Sequence, residues 1–262
     1  MDRRALLLAG RALMLQVMHP TVGAGVRDFS TYRQDPWGRL ERTVRSLLTQ
    51  IFGGEAAVDE ATRLRSMHAR IRGTGFDGRH YSALEPGAQV WVHLSNFDTM
   101  LELHRGFAHP LGEGQAEQLY TEWLQVGRLL GLRDKHLPPD LEGFTAYMAH
   151  MTTDVLSPNE TARQTLRSLV LEDVPPPVKA PLAGPAWSLS RFVLSPLVRF
   201  AIYDTTVGSL PPVVRHKLGL EWTTAQERRM RCFADLVRHT MPLVPERIRE
   251  YPLAYRAKQA AR

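Results

Sequence analysis

One cysteine, Cys232, occurs in the 262 residues. That excludes an internal disulfide, a cysteine-rich zinc or iron–sulfur site, and covalent haem attachment through C-x-x-C-H. Also missing are G-x-x-x-x-G-K-S/T, H-E-x-x-H, G-x-S-x-G and any glycine-rich dinucleotide turn. Those absences argue against nucleotide, zinc-protease and α/β-hydrolase chemistry. Alternating strand patterns are scarce. No window approaches the ~18 uncharged apolar residues of a spanning helix, so no transmembrane segment is expected. Charge of neither sign is gathered into a tail: 33 Lys and Arg face 27 Asp and Glu, and the formal charge of +6 is spread along the chain. That balance favours anionic ligands in general without making nucleic acid an expected partner.

What is present suits a packed core: 44% hydrophobic and 23% charged residues lie far from the disordered signature. At the N-terminus, Arg3 and Arg4 precede the apolar run Ala5–Leu8. Arg11 then interrupts it, and Gln16, Met18, His19 and Pro20 stand where a signal peptide would carry small cleavage residues. The segment reads as an amphipathic first helix packed on the core, and the protein as cytoplasmic.

Helical punctuation is frequent. Asp35-Pro36 has the form of an N-cap followed by proline at the first helical position, and Gly53-Gly54 is a stop. Between them Leu40, Val44, Leu47, Leu48 and Ile51 recur at helical spacing. A second helix is predicted from about Glu55 to Arg72, ending at Gly73. Others are predicted over about 88–107, 115–130 and 141–151, and from a capping box at Ser157–Glu160 to about Val170. The stretch Val174–Pro185 holds five prolines and one glycine and reads as an internal loop. After it come a helix over about 189–203, a break at Leu210-Pro211-Pro212, and a last long helix capped by Thr224 with Glu227. The expectation is an all-α fold: one domain over residues 1–262, a multi-helix bundle.

One residue on these helices is unusual. The apolar stripe of the second helix runs Ala57, Ala61, Leu64, His68, Ile71. A histidine on a core-facing stripe is ordinarily a hydrogen-bonded core residue. Here Arg65 precedes it by three positions and Arg72 follows by four, so both are expected near the same face. Burial and like charge both favour the neutral imidazole that a metal requires. On the preceding helix Arg39, Arg42 and Thr43 fall within about 100° of one another. They form either a solvated basic face or a set of donors toward a bound oxygen species. His19, His93 and His104 read as packing or capping histidines, Trp91 and Trp222 as core, and Cys232 as a small buried hydrophobe.

The segments HPTVGAGV, DPWGRLERT, RSMHARIRG, WVHLSNFDTML and LPPVVRHKLGLEW resemble the catalytic domain of the rubber-oxygenase (latex-clearing protein) family, which includes mpaB-type oxygenases. The similarity follows the order of the motifs over roughly residues 5–240. Its most specific parts are R-x-x-R/K-T, here Arg39, Arg42 and Thr43, and R-x-x-H-x-x-x-R, here Arg65, His68 and Arg72. The resemblance implies an all-helical domain enclosing non-covalent haem b. His68 would be the proximal iron ligand, and Arg65 or Arg72 would pair with the haem carboxylates. Characterised rubber oxygenases cleave polyisoprene with dioxygen. This sequence departs from them in lacking long flanking regions and in carrying Arg42 where the family motif has a distal lysine. A guanidinium stays charged and ligates iron poorly, so Arg42 is expected to donate to a bound oxidant instead. The expected activity is a haem b-dependent oxygenase or peroxygenase using dioxygen or peroxide on a small to medium apolar substrate. The alternatives are a haem-binding sensor or carrier without turnover, and a metal-free helical binding module.

Overall fold

The computed structural model describes residues 2–31, 34–169 and 199–260. About 75% of the described residues are helical. After a 3-10 turn over Arg3–Leu8 come α1 (Ala9–Val17), α2 (Pro20–Phe29), α3 (Pro36–Phe52) and α4 (Ala56–His68). A short hairpin follows, β1 (Arg72–Thr74) paired antiparallel with β2 (His80–Ser82), with Gly73 opposite Tyr81. Then come α5 (Pro86–Phe107), α6 (Glu113–Leu129), α7 (Leu141–His150) and α8 (Glu160–Ser168). The C-terminal part holds α9 (Thr205–Ser209), α10 (Pro212–Lys217), α11 (Thr224–Thr240), α12 (Glu246–Arg249) and α13 (Pro252–Ala260). The proline-rich loop expected over 174–185 lies outside the described residues, as does most of the helix expected over 189–203. Of that helix, 199–203 fall in a π-helical turn, Arg199–Asp204.

The core forms around α5. Trp91, Leu94 and Phe97 on this helix are fully buried, with Met14, Leu15, Val17 and Met18 from the α1 segment against them. Trp91 donates its indole N–H to the Leu15 carbonyl at 3.0 Å, which satisfies the one polar atom that ring takes into the core. Phe97 meets Phe144 of α7 edge-on at 5.0 Å and Tyr120 of α6 at 5.1 Å. Each such buried side chain contributes about 1.5–3 kcal/mol. The first segment is therefore a core element, as its amphipathic pattern predicts. No single helix among the described residues is long and apolar enough to cross a membrane.

Three boundaries differ from the sequence reading. The helix predicted to reach Arg72 stops at His68, and Arg72–Thr74 pairs as a strand. Tertiary packing decides this: Gly73 lies under the Tyr81 ring, where a Cβ would stand 3.2 Å from Cε1, and Tyr81 donates its hydroxyl to Asp28 at 2.7 Å. Gly78 supplies the left-handed turn residue at φ 78°. Next, α8 is capped by Asn159 rather than by a box at Ser157. The Asn159 side chain accepts from Ala162 N at 2.9 Å and donates to the Val17 carbonyl at 2.8 Å, so one residue caps the helix and ties it to α1. Finally, the box on α11 belongs to Thr223 and Gln226, one position earlier than Thr224 and Glu227. Cys232 is exposed, not buried: α11 turns Met230, Phe233, Ala234 and Val237 toward Leu8 and Phe107, and Cys232 lies off that face.

The motif LPPVVRHKLGLEW, opaque in sequence, caps helix ends. Arg215 donates to the carbonyls of Gly208 and Leu210 at 2.9 and 3.0 Å, at the C-terminus of α9. Lys217 donates to the carbonyls of Thr153 and Leu156 at 2.6 and 2.7 Å, at the end of the π-helical turn Met151–Val155. Cations on these orphan carbonyls satisfy both hydrogen bonding and the helix dipole.

Candidate functional site

The candidate site residues sit on the α3–α4 hairpin and the strand after it. Asp35 caps α3 by accepting from Gly38 N at 2.9 Å, Pro36 opens the helix, and the chain turns at Gly53–Glu55 with Gly54 at φ 55°. Ser46 of α3 donates to Glu60 of α4, and Glu60 is gripped by both ends of Arg63 at 2.7 and 2.6 Å. That contact fixes the register of the hairpin. Eight residues beyond Glu60, His68 stands level with Gly38, eight before Ser46. The last turn of α4, carrying Arg65 and His68, is thus level with the turns of α3 carrying Arg39 and Arg42.

His68 is half-buried. Burial first, and the Arg63 guanidinium second, hold its imidazole below the ordinary value of 6.5. The ring has no hydrogen-bond partner among the described residues. The like charge acting on it comes from Arg63, not from the two flanking arginines of the motif. Arg65 is exposed and points across to the C-terminus of α6, where it donates to the Leu130 carbonyl at 3.4 Å. Gly131, at φ 90°, leaves the space that this guanidinium occupies. Arg72 does not share the α4 face, because it lies on β1 and is exposed there.

On α3, Arg39 is half-buried while Arg42 and Thr43 are exposed. Arg42 is not a loose surface cation. It donates to the second carboxylate oxygen of Asp35 at 3.0 Å and to the Thr31 hydroxyl at 3.3 Å. Gly38 makes this cradle possible, since a Cβ there would collide with the Asp35 carboxylate. Arg42 and the Gly38 N–H together hold the Asp35 carboxyl below the usual carboxylate range, the Gly38 bond contributing most. Thr43 donates its hydroxyl proton to the Arg39 carbonyl at 2.9 Å, so only its lone pairs remain for another group. Asp35, Thr31 and Arg63 were not singled out from the sequence as site residues. Asp35 was visible as a cap, but its hold on Arg42 seven positions later carries no sequence signal.

His93 and His19 are structural. His93 is buried, stacked on Trp123 at 5.1 Å, and hydrogen-bonded through Nε2 to the Trp123 carbonyl at 3.0 Å. His19 is buried at the α1–α2 elbow, and its Nδ1 has no partner among the described residues. Burial pushes both imidazoles down to about 4. Each is therefore neutral in the folded chain and takes up a proton on unfolding below pH 6.5. The stability they protect is whole above pH 6.5 and is lost as pH falls through about 4, at most about 3 kcal/mol per ring. Urea midpoints measured across this window should fall with acid, and His93→Leu should flatten the fall. A midpoint constant from pH 7 to pH 4 would contradict both assignments.

Residues 1–239 match the family described as ER-bound oxygenase mpaB/B'/rubber oxygenase, catalytic domain. The chain belongs to this oxygenase catalytic-domain family. It is also similar to two proteins named as uncharacterised, Mb2261 of Mycobacterium bovis and Rv2237 of Mycobacterium tuberculosis. Each is 28% identical over 253 residues, covering 92% of this chain and 91% of the relative. No solved structure gives a significant match. The family match spans the α3–α4 hairpin and stops at the end of α11, so α12 and α13 lie beyond it.

Proposed function

We propose that this chain is a haem b-dependent oxidoreductase, an oxygenase or peroxygenase, acting in the cytoplasm on a small to medium apolar substrate with dioxygen or peroxide as oxidant. The observation that carries the reading is His68: a half-buried imidazole whose protonation burial and Arg63 oppose, without a hydrogen-bond partner among the described residues, on a turn of α4 that the Ser46–Glu60 contact sets beside the turns of α3 carrying Arg39 and Arg42. The donor chemistry fits. A porphyrin brings four nitrogens of its own and asks the protein for one axial imidazole, so a cluster of three or more metal-binding side chains, which is not found among the described residues, is not required. Bound haem would supply activation of the oxidant, chemistry that no side chain of this site performs.

The protein's own residues have separable roles in this reading. His68 would hold the iron. Arg65, which reaches toward α6, or Arg72, on the hairpin, would pair with the haem carboxylates. Arg42 would stabilise negative charge developing on the oxidant, with Asp35 and Thr31 fixing where its guanidinium lies. Arg39 adds a second cation, and Thr43 accepts rather than donates. An absorption spectrum of the purified protein tests the proposal: a Soret band is expected, and a colourless protein that cannot be reconstituted with haem would overturn it. Arg42→Ala should keep its haem and lose turnover by about 10²–10³. Unchanged turnover, or haem loss as complete as on removal of His68, would remove Arg42 from the site.

A further inference from the structure

Helix α11 has two apolar faces. Met230, Ala234 and Val237 belong to the face packed on Leu8 and Phe107. Ala225, Cys232 and Leu236 recur at spacings of seven and four about 130° round the helix, away from that contact. With Arg228, Arg229 and Phe233 they line a shallow groove. The outer stripe continues past the helix end. Leu243 lies in the turn Met241–Leu243 and Ile248 on α12, and with Leu236 they are the most exposed large hydrophobic side chains among the described residues, at 82%, 62% and 59%.

The net charge around this stripe is positive. Residues 224–249 carry six arginines and three acids. Each acid is already paired: Glu227 with Arg231 at 2.8 Å, Asp235 with Arg238 at 2.9 Å, Glu246 with Lys258 at 2.8 Å. Arg228 and Arg247 are exposed and have no acidic partner among the described residues. The surface therefore presents protruding leucine and isoleucine side chains beside uncompensated guanidinium groups. A second copy across a two-fold axis would set these cations against themselves. Side chains standing out from a helix and a turn, rather than lining a deep cleft, suit insertion between lipid headgroups.

We propose that residues 225–248 form a docking surface for an anionic lipid bilayer, with Leu236, Leu243 and Ile248 entering the headgroup layer and Arg228 and Arg247 lying against phosphates. The full-length protein is mixed with vesicles of phosphatidylcholine containing about 30% phosphatidylglycerol, or of phosphatidylcholine alone, and floated. Cys232, the chain's one cysteine, carries an environment-sensitive dye beside the stripe as an independent readout. Flotation with the anionic vesicles only, a blue-shifted dye, and release at about 0.5 M salt are expected. Leu243→Ala should weaken partitioning about tenfold. Arg228→Ala with Arg247→Ala should weaken it about 25-fold, fivefold for each charge. These exposed positions should leave the circular dichroism unchanged. No flotation, equal flotation on neutral vesicles, or a dimer in sedimentation that Leu243→Ala dissolves would each overturn the proposal. None of these readouts involves His68, so their failure is distinct from failure of the haem reading.

Discussion

His68→Ala should purify as a folded protein nearly free of haem. The side chain is half-buried at the end of α4 and bonds to nothing else among the described residues, so its removal leaves no donor or acceptor stranded. Urea and thermal midpoints should therefore stay close to those of the parent. What goes, if His68 holds the iron as proposed, is the axial bond. Loss of a residue that merely supports a metal ligand costs about 10–100-fold in affinity, and loss of the ligand itself should cost more. His68→Gly with added imidazole is the companion experiment, because a free imidazole in the vacated space should restore the Soret band. The acid limit of haem retention gives a further check. Since burial and Arg63 hold the His68 imidazole below 6.5, retention should persist below that pH, and Arg63→Ala should move its loss upward. Full haem content in His68→Ala would assign the iron to another residue. Haem loss with collapse of the circular dichroism would make His68 a core residue.

The parts of this site that are legible in sequence are the local ones. Helix α3 is bracketed by Asp35-Pro36 and Gly53 because capping and termination are decided by a few adjacent residues, and observed and expected limits agree. The inward stripe of α4 is legible for the same reason, with Ala57 and Ala61 buried as predicted. What fails is whatever depends on a distant partner. Arg72 continues a helical pattern on paper, yet Tyr81 and Asp28 pull it into a hairpin. Arg65 resembles a neighbour of His68, yet Gly131 opens a place for it on α6. Cys232 is apolar enough to suggest burial, but α11 carries two apolar stripes and only one finds a core. The motif histidine and arginines were recognisable by resemblance; which guanidinium acts on which group was not.

Arg11 gives the second large effect, through a buried role that carries no sequence signal. It reads as the polar interruption that spoils a signal peptide, but its side chain is only 3% exposed. It donates one guanidinium nitrogen to Asp98 of α5, 87 positions away, and another to the Ser209 carbonyl of α9 at 2.8 Å. Its Nε is buried without a partner among the described residues. Burial pushes the Asp98 carboxyl above its ordinary range, and Arg11, with Arg105, only partly offsets that. Such a pair contributes little net stability but is expensive to break, because either partner alone is a buried charge. Arg11→Ala and Asp98→Ala should each cost about 3–5 kcal/mol, a large share of the 5–15 kcal/mol typical of a folded domain. Replacing both, Arg11→Met with Asp98→Leu, should cost far less than the two losses together. The pH dependence separates this from simple cavity formation. In Arg11→Ala the folded-state pKa of Asp98 rises further above its unfolded value, so the penalty is absent at low pH and grows as pH rises through the folded pKa. The stability gap between parent and Arg11→Ala should therefore narrow on acidification, while that of Asp98→Ala should not narrow in the same way. Urea midpoints of the four proteins across pH 4 to 8 decide it: a gap for Arg11→Ala that ignores pH, or single losses below about 1 kcal/mol, would show the pair to be incidental.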